Sequence, residues 1–110
     1  MIFAWDEDNC AHLAKHAVSP AEAQEVVACA EAPFPREVGD EKLVVWGQTA
    51  GGRYLQVIFV LKVPHEVPYE SLSVEDWLEV EAGRATEIVR IIHAMNLTPA
   101  MKKRFRKQKR

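Results

Sequence analysis

The chain has little cysteine: Cys10 and Cys29 are the only two in 110 residues. Two thiols exclude a disulfide framework and an all-thiolate tetrahedral metal site, and both fall in helical patterns where small buried thiols are expected. No apolar run comes near the roughly 20 residues needed to span a bilayer. The first residues, MIFAWDED, carry neither a basic leader nor an apolar h-region, so a cytoplasmic location without a membrane partner is expected. Internal repeats and long low-complexity segments are also absent, which excludes repeat architectures. At 48% hydrophobic, the chain suits one domain, residues 1–110, with a single core.

Charge is the property most unevenly spread. Lys102, Lys103, Arg104, Arg106, Lys107, Lys109 and Arg110 are half of the 14 Lys and Arg, and without them the net charge of −2 becomes −9 for residues 1–101. An acidic body with a cationic end raises the question of a polyanionic partner.

Periodicity and capping residues give the element order. Ile2 to Trp5 is a short apolar strand, and Asp6 with Glu7 and Asp8 starts a helix reaching about Lys15 or His16, with Cys10 and Leu13 inward. Ser19-Pro20-Ala21-Glu22 is a capping-box helix start whose apolar stripe, Ala23, Val26, Val27 and Ala30, suits packing on a sheet. Lys42–Gly47 and Tyr54–Leu61 read as a hairpin around Thr49-Ala50-Gly51-Gly52, and the second strand, apolar on both faces, belongs in the middle of a sheet. Residues 62–85 form an acidic insertion with Pro64 and Pro68, in which Ser73 caps a short helix holding Trp77, Leu78 and Val80; Leu78 to Glu81 also alternates like a strand. Thr86 to Ala94 is the last strand. Thr98-Pro99 starts a basic helix, residues 98–110, with a narrow stripe of Leu97, Met101 and Phe105; its stacked cations Lys102, Arg106 and Arg110 repel one another. Three or four strands joined by hairpin-type connections imply an α+β class, an antiparallel sheet with two N-terminal helices packed on it and a basic C-terminal helix.

Laid out this way, the chain resembles the BrnT-type toxins of bacterial type II toxin–antitoxin modules, a branch of the RelE-like small ribonucleases. The residues that carry the resemblance are Phe3-x-Trp5-Asp6, Leu13-x-Lys15-His16-x-Val18-Ser19 with Glu22-Ala23 after it, Asp40-Glu41, Gly47, Gly52-Arg53-x-Leu55, and Val89-Arg90-Ile91-Ile92-x-Ala94 followed by Thr98-Pro99 and a basic helix. The resemblance implies a RelE-like fold and an mRNA-cleaving toxin silenced by a ribbon-helix-helix antitoxin, in assemblies that include a heterotetramer. The chain departs from the pattern at Ala17 where Gly is usual, at His12 for Asn, at His93-Ala94-Met95 for Ser-Ala-Arg, at Met101 for Glu, at Phe105 for Tyr, and in the length of 62–85.

Cleaving RNA without a metal or other cofactor takes a base for the 2′-hydroxyl, an acid for the 5′-oxygen and cations for the phosphate. Against that need, His93 and His16 are the acid–base candidates and Lys15, Arg53, Arg90, Lys102, Lys103 and Arg106 the candidate substrate-binding cations. Unbroken strand alternation would put Arg90 with Ile92 and Ala94 on one face and His93 with Ile91 and Met95 on the other, so without a bulge the two cannot line one pocket. The His93 face is then the catalytic one and Arg90 partly structural. His12 and His16 could clamp a metal at i, i+4, but no third ligand is evident and a surface pair is expected. The basic tail is either a solvated, frayed terminus, or one that folds onto the acidic insertion, or a phosphate contact, and the last two are compatible if Glu75, Asp76, Glu79 and Glu81 cover it until RNA displaces them. The other reading is a non-cleaving RNA- or protein-binding relative that lost its arginine at Met95.

Overall fold

The structure, a computed structural model, describes residues 1–108; Lys109 and Arg110 of the basic tail lie outside the described residues. Its elements are β1 (Ile2–Phe3), α1 (Glu7–Ala14), α2 (Pro20–Ala28), β2 (Arg36–Glu37), β3 (Lys42–Gln48), β4 (Tyr54–Lys62), α3 (Val74–Glu81), β5 (Ile88–Asn96) and α4 (Pro99–Gln108). Two 3₁₀ turns, Pro64–Glu66 and Tyr69–Ser71, lie between β4 and α3.

Both early helices begin where short polar side chains can take the free amides of the first turn. The Asn9 amide donates to Asp6 Oδ1 (3.0 Å) and Asn9 Oδ1 accepts from the Asp6 amide (2.8 Å), a reciprocal cap with Asn in the place of the usual Glu. Ser19 and Glu22 repeat the arrangement at α2, with Pro20 leading the helix. The exit from α1 is a Schellman-type turn: the Val18 amide reaches the Leu13 carbonyl (3.1 Å) and the Ala17 amide the Ala14 carbonyl (3.0 Å). Ala17 takes the left-handed conformation, φ 52°, which a Cβ disfavours. Ala17→Gly should therefore stabilise the fold by about 1 kcal/mol, read as a melting temperature higher by ~4 °C.

The five strands form one sheet in the order β1-β5-β4-β3-β2. Three of its four pairings are antiparallel, and the class is α+β. The β1–β5 pairing is parallel, not antiparallel as the hairpin pattern implied, because about 85 residues of chain separate Ile2 from its partner Ile88 and no hairpin dictates direction. Strand β2 was not foreseen; it pairs only through Arg36 with Val44 and Glu37 with Leu43. Strand β4 is central as expected, with Leu55, Val57 and Phe59 buried.

One core cluster gathers Leu13 of α1, Ala23, Val26 and Val27 of α2, Val45, Leu55, Val57, Phe59, Val89, Ile91 and Ala94 of the sheet, and Phe105 of α4. Helix α2 lies close on β3: a Cβ added at Gly47 would stand 3.0 Å from Val26 Cγ1. The stripe read for α4 holds, since Leu97 and Phe105 are buried and Met101 packs on the same cluster. A second, smaller cluster joins Ile2, Ala4, Leu72 and Ile88 and is closed by Trp77 and Val80 of α3. The acidic insertion thus covers a corner of the sheet. Ser73 does cap α3, accepting from the Asp76 amide (3.1 Å), and Leu78 to Glu81 is helical rather than extended. The thiols differ from expectation: Cys10 is half-buried and Cys29, at the solvent-facing end of α2, is exposed. No described helix is long and apolar enough to cross a membrane.

Candidate functional site

The register of β5 decides where its functional side chains go. Phe59 stands opposite Ile91 and Ile58 opposite His93, so Ile92 is an extra residue in the ladder. This bulge shifts the alternation by one. Arg90, opposite Val60, and His93, opposite Ile58, consequently project from the same sheet face, whereas unbroken alternation would have separated them. The face also carries Trp46, Gln56 and Met95.

Helix α1 brings His16 to His93, with ring centroids 4.9 Å apart and the rings edge to face. The two acid–base candidates named from the sequence are therefore neighbours. His93 has its Nδ1 buried with no hydrogen-bond partner among the described residues. Burial, followed by the charges of His16 and His12, holds its proton affinity below that of an ordinary histidine. Protonating Nδ1 would bury a donor without an acceptor, which acts in the same direction. A neutral imidazole near pH 7 follows. On the same flank Asp8, His12, Lys15, Arg90 and Ile92 line an open groove of about 470 Å³. Among the described residues no three His, Cys, Asp or Glu side chains are grouped to hold a metal ion.

The two arginines named as substrate contacts are engaged within the chain. Arg90 pairs with Asp6, Nη1 to Oδ2 2.6 Å, bringing the cap of α1 against β5. Arg53 Nη1 donates to the Ala17 carbonyl (2.8 Å) and to Glu22 Oε1 (2.9 Å), while its Nη2 donates to Asn96 Oδ1 (3.0 Å). The hairpin turn presents it: the Thr49 amide donates to the Arg53 carbonyl and Gly52, at φ 95°, donates to Thr49. Arg53 thus ties the α1–α2 turn, the capping box of α2 and the end of β5 together. Asp6 and Glu22 were read only as caps, and their second role needed contacts 84 and 31 residues away.

These pairs make stability depend on acid. At Glu22 the Ser19 amide, opposed by burial and aided by Arg53, lowers the carboxyl pKa. At Asp6 burial would raise it, but the Asn9 amide and Arg90 together outweigh burial and the net shift is downward. Unfolded carboxyls bind protons more readily than these folded ones, so their stabilisation is complete above about pH 5 and lost as pH falls through ~4 and below. His93 adds an earlier loss, beginning as pH drops below about 6.5, because its folded proton affinity is also depressed. Urea titrations across pH 3–8 should show both stages for the wild type, and only the lower one for His93→Ala.

Lys102, Lys103 and Arg106 line a separate open groove of about 510 Å³ with Leu97 and Pro99. No salt bridge joins α4 to a carboxylate among the described residues, and Glu79 is taken by Arg84 (2.8 Å) within the insertion. Of the alternatives for the tail, folding onto the insertion is not supported by an ion pair among the described residues. Instead Lys102 and Arg106 sit over the Tyr54 ring (4.7 and 5.1 Å) and Arg104 over Trp46 (5.7 Å). This cation–aromatic face went unread in the sequence, where Trp46 and Tyr54 counted only as strand residues.

Comparison with protein-family models, with characterised proteins and with solved structures gives no match for the chain.

Proposed function

We propose that the chain is a metal-independent endoribonuclease toxin with a RelE-like arrangement of two N-terminal helices on the sheet, of the BrnT type, neutralised by a ribbon-helix-helix antitoxin. The observation that carries this reading is the His16–His93 pair, in which the half-buried member is poised to be neutral on the flank of a groove that holds Lys15. Neutral His93 takes the proton of a ribose 2′-hydroxyl, the freed oxygen attacks the adjacent phosphorus, and His16 gives a proton to the departing 5′-oxygen. The products are a 2′,3′-cyclic phosphate and a 5′-hydroxyl. Lys15 meets the phosphate from its groove, and Lys102, Lys103 and Arg106 hold neighbouring phosphates. Arg53 and Arg90, each already bound to a carboxylate, act by positioning α1 against β5.

One observation favours a second reading, an RNA- or protein-binding relative that does not cut. Both guanidiniums near the histidine pair are neutralised within the chain, and Met95 stands where the family holds an arginine. Induced expression separates the readings. Growth arrest that is relieved by the neighbouring antitoxin gene and lost in His93→Ala supports the nuclease; arrest that persists in His93→Ala supports binding alone.

A further inference from the structure

The face that carries His93 also holds a cavity of about 220 Å³ that the cleavage step leaves unused. Trp46, Gln56 and Ile58 line it from the sheet, Phe34 and Arg36 from the chain leading into β3, and Arg104 from α4. The Trp46 indole N–H donates to Gln56 Oε1 (2.9 Å), which fixes both side chains. The Phe34 and Trp46 rings lie 5.8 Å apart and are tilted by 35°, with Arg36 over the first and Arg104 over the second. No carboxylate lines the cavity, and no salt bridge engages Arg36 or Arg104 among the described residues.

We propose that this cavity is a stacking subsite for an unpaired nucleobase of the RNA strand, an inference that rests on the nuclease reading and adds where a base next to the cut is held. Aromatic rings covered by guanidiniums are an arrangement that holds single-stranded bases: the base takes the place of the guanidinium on the ring, and the displaced cation meets the neighbouring phosphate. Basic or strongly anionic peptides fit worse, since the cavity has no acid to meet the first and a largely apolar lining for the second. The Gln56 amide nitrogen, with its oxygen already held by Trp46, supplies a donor to a ring nitrogen or carbonyl on the base edge. Position agrees with the chemistry. His93 pairs with Ile58 and Ile58 with Val44, so the cavity begins beside the histidine and ends about 10 Å away, two strand spacings across the sheet. A strand whose phosphate sits at His93 lays its next bases over Ile58, Gln56 and Trp46. Tyr54, with Lys102 and Arg106 over its ring, continues the track toward α4.

The test is binding of a short single-stranded oligonucleotide whose riboses are 2′-O-methylated to block cleavage, with each base in turn removed to leave an abasic position. Wild-type protein should lose affinity about 10-fold or more at one position and little elsewhere. Trp46→Leu should flatten that profile, and so should Gln56→Glu, which keeps the size of the side chain and decides the matter if the tryptophan variant does not fold. An RNA that binds tightly with every position equivalent overturns the subsite and leaves the nuclease reading standing. An RNA that does not bind at all overturns both.

Discussion

Replacing His93 with alanine should slow RNA cleavage by about 10²- to 10⁴-fold and leave RNA affinity unchanged, measured as single-turnover rates beside equilibrium binding. The separation is expected because His93 is half-buried and carries no positive charge near neutral pH, so the role proposed for it is in the chemical step and not in holding phosphates. The pH profile is the finer check. With His93 as base, the rate falls as pH drops through its pKa, which lies below the ordinary histidine value of about 6.5. His16→Ala removes a neighbouring positive charge, so the acidic limb should move upward. The move is partial because burial, the larger cause of the depression, remains. It comes with a loss of rate at every pH, because the proton donor to the 5′-oxygen is gone throughout.

The second large effect is electrostatic. Neutralising Lys102, Lys103 and Arg106 together should reduce the dependence of RNA affinity on salt by about 2 in log–log slope, since each phosphate that a cation neutralises on a single strand contributes ~0.7. The affinity itself should fall steeply at low salt. Charge substitution is a cleaner test than cutting off residues 102–110, because Phe105 is buried in the main core and its removal would cost ~3–5 kcal/mol of stability. Substituting Glu75, Asp76 and Glu81 should leave RNA affinity unchanged, since the insertion does not shield α4 among the described residues.

Much of this arrangement could be read from sequence where the signal was local. Ser19-Pro20 with Glu22, Ser73, and the stripe of Leu97, Met101 and Phe105 all did what capping and periodicity require of them. The hairpin around Gly51-Gly52 did the same. What escaped was set by contacts far apart in the chain. The parallel pairing of Ile2 with Ile88 has no local cue, and neither does β2, only two residues long. Asp6 and Glu22 satisfy capping rules so well that nothing in the sequence suggested that they also hold Arg90 and Arg53.

The candidate site was legible in its members but not in its geometry. His16 and His93 were named for their chemistry, and most of the chain lies between two rings that stand 4.9 Å apart. The bulge at Ile92 matters most. A run of β-branched residues, Ile91-Ile92, gives no hint of an unpaired position, yet that one residue returns His93 to the face of Arg90. The cation–aromatic face was missed for a related reason, because Trp46 and Arg104 meet only once α4 has folded back across the hairpin.

In the proposed reaction the His16–His93 pair cuts RNA by internal transfer to the 2′-oxygen. This is tested most directly by incubating purified protein with single-stranded RNA in EDTA and determining the chemistry of the product ends. The wild type should leave 2′,3′-cyclic phosphate and 5′-hydroxyl ends, and His93→Ala should leave the RNA intact. Bound but uncut RNA with the wild type, or unchanged cutting by His93→Ala, would contradict it.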